Sequence, residues 1–298
     1  MILVFFILIS GGFLWIPINY VSAQDSGTHV CGLISEDQTW DASDGPYYIE
    51  CDLTIANGAT LTVTPGTVLQ FDTNTILEVK GSLIAEGTEE EPVVFKNYDP
   101  TEDSWDAWRG IWLKRSSSAS FNHVVMEGTE ELTGNLNINS NDVVLKNSVF
   151  KDLTSIRIEG VDPVIENCDY INTRNRLSLI NSSATISGCN ISGKGINITR
   201  NRDYSKPVQP VIKDTQITGS PSSAVSMSFL AEPQFSNITL VNNGYNGVMV
   251  SGTKLDSDHT LDWDIDNIPR KLTSPVTINQ GATLTVTPGT VLQFDTNT

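Results

Sequence analysis

Eighteen residues, GATLTVTPGTVLQFDTNT, are written twice in this chain, at 58–75 and letter for letter at 281–298. Duplication at an offset of 223 residues constrains the fold before local propensity does, because self-similarity along a chain marks repeat architectures. Within the stretch, Leu61-Thr62-Val63 alternates apolar and polar, Pro65-Gly66 makes a turn, and Val68-Leu69-Gln70-Phe71 is apolar again. That is strand, turn, strand, with no helical period. The same offset carries Trp40-Asp41 onto Trp263-Asp264, Pro46 onto Pro269 and Thr54-Ile55 onto Thr277-Ile278, so the approach to the stretch is duplicated as well.

A shorter period lies inside the long one. Leu53/Ile55 recurs as Leu77/Val79, Leu61/Val63 as Leu83/Ala85, and Leu69/Phe71 as Val93/Phe95, at shifts of 24, 22 and 24 residues. Residues 97–107 (NYDPTEDSWDA) read as a polar loop leaving the pattern, and Trp108-Arg109-Gly110-Ile111 re-enters it. A compact signature then appears six times: an apolar residue, a bend-former two positions on, and a second apolar residue three further. The instances are Phe121-His123-Met126, Leu145-Asn147-Phe150, Ile165-Asn167-Tyr170, Ile186-Gly188-Ile191, Ile212-Asp214-Ile217 and Phe235-Asn237-Leu240. Asn, Asp and Gly accept the left-handed backbone conformation that a sharp bend between two strands requires. A third set of strands fills each period: Ile111/Leu113, Leu136/Ile138, Ile156/Ile158, Leu177/Leu179, Ile196/Ile198, Val225/Met227 and Val248/Val250.

Three short strands per turn of about two dozen residues predict an all-β parallel β-helix, a solenoid of about nine coils. At ~4.8 Å per coil it makes a rod roughly 40 Å long. A β-sandwich would instead show hairpin turns every 8 to 12 residues, without coil register.

The run from Pro46-Tyr47-Tyr48-Ile49 through GATLTVTPGTVLQF to Leu77-Glu78-Val79-Lys80-Gly81-Ser82-Leu83-Ile84-Ala85 resembles the opening of right-handed parallel β-helix proteins of the pectin-lyase-like fold. Trp108-Arg109-Gly110-Ile111 resembles their re-entry segment, and the resemblance covers most of residues 46–250. It implies a right-handed cylinder and membership among secreted or cell-surface proteins. It does not select an activity, because the fold hosts polysaccharide lyases, glycoside hydrolases, adhesins and modules without a known reaction.

The resulting organisation is an N-terminal segment at 1–23, a polar lead-in at 24–38, a β-helix unit at 39–259 and the start of a second unit at 260–298. Residues 1–18 are almost wholly apolar, and Val21-Ser22-Ala23 offers the small residues of a signal-peptidase site, with an N-terminal anchor as the other reading. Either places the rest outside the cytoplasm. With 18 Lys and Arg against 35 Asp and Glu, the net charge of -17 disfavours nucleic acid and anionic lipid as partners.

Four cysteines permit two disulfides in an exported chain. Cys168 and Cys189 each follow a bend residue, 21 positions apart, and are the favoured bridge, with two buried thiols as the alternative. Cys31 and Cys51 are then the remaining pair, pinning the lead-in to the first coil. Asn181, Asn190, Asn197 and Asn237 each begin an N-x-S/T acceptor, expected often in a fold rich in Asn bends. Asp262, Asp264 and Asp266 alternate and suggest calcium, but the loop lacks the Gly and terminal Glu of a helical calcium loop. No other cofactor is indicated.

Catalysis on polysaccharide would need a close set of carboxylates on one outer face. Asp142, Asp152, Asp162, Asp169 and Asp214 fall at different coil phases and read as turn residues. Arg174, Arg176, Arg200 and Arg202 form two Thr-Arg-Asn-Arg runs that could grip uronate or sulfate, though out of phase with each other. Trp108 and Trp112 are expected to pack, and His123 to be a turn residue without a catalytic partner. The leading expectation is a non-enzymatic extracellular structural or adhesive module of a tandem surface protein, with polysaccharide as a candidate partner. The alternative is a polysaccharide lyase or glycoside hydrolase whose site is assembled by loops.

Overall fold

The computed structural model describes residues 27–98, 108–128, 135–201, 203–262 and 268–296. The segment proposed for export, 1–23, lies outside them. Every element described is a strand, every strand pair is parallel, and the chain winds as a β-solenoid of about 11 turns.

Each full turn has three faces. The first carries strands such as Ile76–Val79, Asn135–Ile138 and Leu177–Ile180; the second Ser82–Glu86, Asp142–Lys146 and Thr185–Ser187; the third Val93–Asn97, Val149–Lys151 and Asn190–Ser192. Side chains alternate in and out along each strand, and the inward ones stack coil on coil. Phe121, Leu145, Ile165, Ile186, Ile212 and Phe235 are Cα partners in sequence on the second face. Met126, Phe150, Tyr170, Ile191, Ile217 and Leu240 do the same on the third. The residue between each such pair has positive φ, from 48° at Asn147 to 64° at Gly188, so all six signatures are bends from second to third face.

The other two corners use the same device. Asp152, Asn172 and Asn242 have positive φ where the third face turns to the first, and Ser116, Gly160 and Asn181 where the first turns to the second. Bend side chains then pair along the axis: Asn147 Nδ2 donates to Asn122 Oδ1 (2.9 Å), Asn172 Nδ2 to Asp152 Oδ1 (2.7 Å) and Asn237 Nδ2 to Asp214 Oδ1 (2.7 Å). At Gly188 a Cβ would lie 2.3 Å from Asn167 Oδ1, so any larger residue there must move the Asn167 amide.

Three features depart from the sequence reading. The coils outnumber the expected nine because winding starts below and continues above the counted set. At the bottom, the polar lead-in contributes Thr28–Ile34, which pairs along Tyr47–Ile55. Second, Leu69 pairs with Phe95 and Phe71 with Asn97, two residues out of the expected register. The turn at 87–92 causes this: Glu91 closes it through Thr88 and reaches back to the Gly66 N–H, taking up the extra chain. Phe71 is therefore covered by Trp108, whose ring stacks on it at 4.3 Å while its indole N–H donates to the Glu127 carbonyl (3.1 Å). Third, Trp112 points outward, half-buried under Arg109 and Lys114 (5.1 and 4.9 Å).

The second copy of the duplicated stretch continues the same cylinder. Lys254–Leu255 pairs with Thr277–Ile278, and His259–Leu261 with Leu284–Val286, so Leu255 and Leu261 take the places that Ile34 and Trp40 occupy beneath the first copy. The copy is rotated by one face. Arg270–Leu272 answers third-face residues 47–49 in sequence, yet it stacks on first-face residues 248–250. His259, at this junction, lies 4.0 Å from Glu232 and against the Phe229 ring, and its Nε2 is buried without a partner. Burial, and then Arg200, hold its pKa below the ordinary imidazole value, against the pull of Glu232.

Two predictions follow from this architecture. Phe71 is 1% exposed and Phe294, its counterpart in the identical stretch, is 62% exposed. Phe71→Ala is expected to cost about 3–5 kcal/mol and Phe294→Ala no more than about 0.5 kcal/mol in denaturant unfolding. For His259 the unfolded chain takes up the proton first, so its contribution is whole above about pH 6.5 and is lost as pH falls below that. Melting curves between pH 7 and 5.5 are expected to show a decline that His259→Phe flattens.

Candidate functional site

Among the described residues, a depression runs along the corner between first and second faces. Five successive turns line it: Arg115, Ser116 and Ser117; Asn139 to Asp142; Glu159 to Val161; Asn181; and Tyr204, Ser205 and Lys206. It is an open groove of about 880 Å³. Its far wall is the one long turn at this corner, between Ile196–Thr199 and Val211–Lys213.

That long turn is anchored at several points. The Arg200 N–H donates to Ser228 Oγ (2.9 Å), and its guanidinium donates to the carbonyls of Leu230 and Tyr204 (3.4 and 3.3 Å). Asn201 N–H donates to Asn181 Oδ1 (2.7 Å), Gln209 N–H to Ser183 Oγ (2.9 Å), and Val208 is fully buried. Tyr204 is thereby held half-buried at the groove's edge two residues from exposed Lys206, and Arg115 is exposed on the first lining turn. The groove therefore offers hydroxyls, amides, one aromatic ring and two cations along a shallow path. Two carboxylates, Asp142 and Glu159, also line it. Glu159 accepts from both Nε and Nη2 of Arg157 (3.2 and 2.8 Å).

The arginine runs do not form an anion clamp. Arg176 is half-buried and donates to the carbonyls of Ile196 and Ser223 (3.1 and 2.9 Å), tying three coils together, and burial lowers its pKa. Arg200 anchors the groove wall, Arg174 is exposed, and Arg202 lies outside the described residues. Of the scattered aspartates, Asp152 and Asp214 take bend positions, while Asp162 accepts from the Ser183 N–H and Asp169 from Asn190 Nδ2. Only Asp142 enters the groove. His123 is a bend residue at φ 50°.

Asp262 accepts from Thr287 Oγ1 (2.9 Å), and Asp264 and Asp266, the rest of the suggested calcium set, lie outside the described residues. Among the described residues, no group of three or more His, Cys, Asp or Glu is placed to hold a metal ion. Trp105 and Trp263 are also outside them. The outward Trp112 belongs to a closed cluster, in which Glu78 bridges Lys80 and Lys114 (2.7 and 2.9 Å) and those bonds lower its pKa.

The four acceptor asparagines are spread around the rod. Asn190 and Asn237 are exposed, with their Nδ2 groups donating to Asp169 and Asp214. Asn197 donates to Thr199 Oγ1 (3.0 Å), and Asn181 sits in the groove corner.

Of the two expected bridges one forms, and the favoured one, Cys168 with Cys189, does not. Cys31 and Cys51 form the disulfide, with Cα atoms 5.2 Å apart, fastening the lowest strand to the next. Cys168 and Cys189 are buried free thiols. The reason is a ladder just past the second-face bends. Ser148, Cys168, Cys189 and Thr215 each donate to the carbonyl two residues back (2.6, 3.3, 3.3 and 2.7 Å). They also accept along the axis: Val124 N–H donates to Ser148, Cys168 N–H to Cys189, and Cys189 N–H to Thr215. Both sulfurs therefore serve as hydroxyl equivalents. The Cys189 contact and then burial raise the Cys168 thiol far above the ordinary thiol range. Beside them Tyr170 is 1% exposed, its hydroxyl is buried without a partner, and burial raises its pKa as well. Tyr170→Phe is expected to stabilise the chain by about 1–3 kcal/mol, read from the urea midpoint, because it removes a desolvated, unpaired hydroxyl.

Comparison with known proteins is sparse. No family model matches the chain, and no solved structure matches it. One segment is 31% identical over 83 residues to Protein bark beetle of Drosophila melanogaster. That is 28% of this chain and 3% of that protein, so the chain spans a small fraction of its relative.

Proposed function

We propose that the chain is an extracellular β-helix module of a tandem surface protein, which presents its corner groove to polysaccharide and does not transform it. The observation that carries this reading is the groove itself. It is long, open to solvent, and walled by a turn fixed at both ends, with Tyr204 available to lie against a sugar ring. Arg115 and Lys206 supply charge for acidic units of such a chain.

Export is supported by the apolar run at 1–18 and by a disulfide near the surface, which suits an oxidising compartment. The tandem character is supported by the way residues 254–261 provide beneath the second copy what the lead-in provides beneath the first. A passive role is supported by the pairing of Glu159 with Arg157, which engages one of the two carboxylates that line the groove.

Binding to a panel of neutral and uronate-containing polysaccharides, by affinity electrophoresis and calorimetry, tests the proposal. Tyr204→Ala is expected to weaken binding generally. Reversing both cations, Arg115→Glu with Lys206→Glu, is expected to weaken acidic polysaccharides by about tenfold, equivalent to about 1.4 kcal/mol. No binding, or binding untouched by these changes, would remove the groove from consideration. Release of reducing ends or unsaturated products would replace the passive reading with an enzymatic one.

A further inference from the structure

The second face is a sheet of nine strands, from Gln38–Trp40 to Gln234–Ser236, and its outward side chains carry a pattern that the core does not require. The middle outward row runs Ile84, Ser120, Val144, Val164, Thr185 and Val211, Cα partners in that order and all half-buried. It bears no charge, although 18% of the chain is charged. Two residues further along each strand the row is Glu86, Asn122, Lys146, Glu166, Ser187 and Lys213. Both rows are symmetric about one point, midway between Asp142–Lys146 and Val164–Glu166. The first reads apolar, hydroxyl, apolar, and then the same in reverse. The second, set against its own reversal, places negative opposite positive and polar opposite polar at every position.

We propose that this strip is an interface between two copies of the chain, packed face to face about a two-fold axis that lies along the strand direction and passes between those two strands. Such an axis keeps each row opposite itself and reverses its order, and a contact of this symmetry requires that self-match. Ile84 then meets Val211 of the second copy, Ser120 meets Thr185, and Val144 meets Val164. In the flanking row Glu86 meets Lys213 and Lys146 meets Glu166. Within one copy Lys146 already bonds Glu166 (3.0 Å), so the centre becomes a ring of four alternating charges. The two rows carry no net charge on a chain of net charge -17, which spares this strip the repulsion that opposes contact elsewhere. Eight strands overlap in this register. At ~4.8 Å between strands and about 13 Å along each, the footprint is roughly 500 Å² per copy. That is the size of a weak specific contact, so association in the micromolar range is expected. Because the axis preserves strand direction, the corner grooves of the two copies lie at the same edge of the pair.

Charge exchange across the axis tests this. Glu86 and Lys213 of one copy are five strands apart, roughly 24 Å, well beyond the ~8 Å screening length of physiological salt. Sedimentation of the full chain between about 1 and 200 µM is expected to show a monomer–dimer equilibrium. Glu86→Lys alone, and Lys213→Glu alone, each set like charges in contact twice per dimer and are expected to raise the dissociation constant at least about tenfold. The two changes together are expected to bring it back to within about threefold of the original. On the unaltered chain, acylation of the Lys146 and Lys213 amines should slow as concentration rises, while that of Lys194, exposed at the corner between third and first faces, should not.

A chain that stays monomeric with all three amines equally reactive at every concentration overturns the proposal, as does a dimer indifferent to both single changes. So does a double variant that associates as weakly as the single ones. A dimer built about the rod axis would give that last result, because it never brings Glu86 to Lys213. Polysaccharide binding, measured on the same proteins, stands or falls separately, since neither Glu86 nor Lys213 lines the groove.

Discussion

Everything in this molecule depends on each coil arriving at the level of its predecessor, and that is decided at the bends. A left-handed backbone residue costs roughly 1–2 kcal/mol for an ordinary side chain and little for Gly, with Asn and Asp between. The chain meets this condition at all three corners and adds a second constraint, that bend side chains bond along the axis. Asn147 reaching Asn122, and Asn237 reaching Asp214, fix the vertical register of the strands on either side. Once register is fixed, apolar ladders follow without further specification, because period-two alternation sends every second residue inward.

A cylinder built this way separates its functions spatially. The interior is a closed set of ladders, including the hydroxyl and thiol series through Ser148, Cys168, Cys189 and Thr215, which satisfies backbone N–H groups beside the core. The strands' outer faces are largely self-paired, as at Glu78 with its two lysines. Freedom to vary is left to the turns, whose length the ladders do not control. The long turn after Thr199 uses that freedom, and its anchoring by Arg200 turns a variable insertion into a fixed wall. Recognition surfaces on such a rod are thus expected where a turn is both long and tied down.

The architecture was legible because it repeats. Six bend signatures and the inward pairs were readable, and each pair falls in register with the next. Errors arose wherever an insertion altered phase without altering composition. Leu69 and Phe71 slipped by two residues because the turn at 87–92 absorbs chain that spacing alone assigned to the strand. The Cys168–Cys189 bridge is absent for a different reason, while the Cys31–Cys51 bridge forms as expected. Stacking was inferred correctly for Cys168 and Cys189, but stacking inside the ladder gives each sulfur a carbonyl to address. Cys31 and Cys51 lie instead where adjoining strands shift register. A small hydroxyl residue after two of the sister bends, Ser148 and Thr215, was the available signal that this position is polar. The groove left no trace in sequence, since its residues come from five turns and share no period.

Identical residues in two places make a final point about where stability resides. Stretches 58–73 and 281–296 have the same sequence, yet the large apolar residues of one are core and those of the other surface. Intrinsic preference of the eighteen residues cannot distinguish them, so the difference belongs to the interface between coils, as in any one-dimensional array. For such an array to be extended by duplication, the last coil of a unit must resemble whatever lies beneath the first. Leu255 and Leu261 meet that condition, being 2% and 1% exposed as Ile34 and Trp40 are 2% and 5%. The rotation by one face at Arg270–Leu272 shows that the match need hold only for the inward ladder. Outward residues of the second copy therefore lie on a different face of the cylinder from their counterparts in the first.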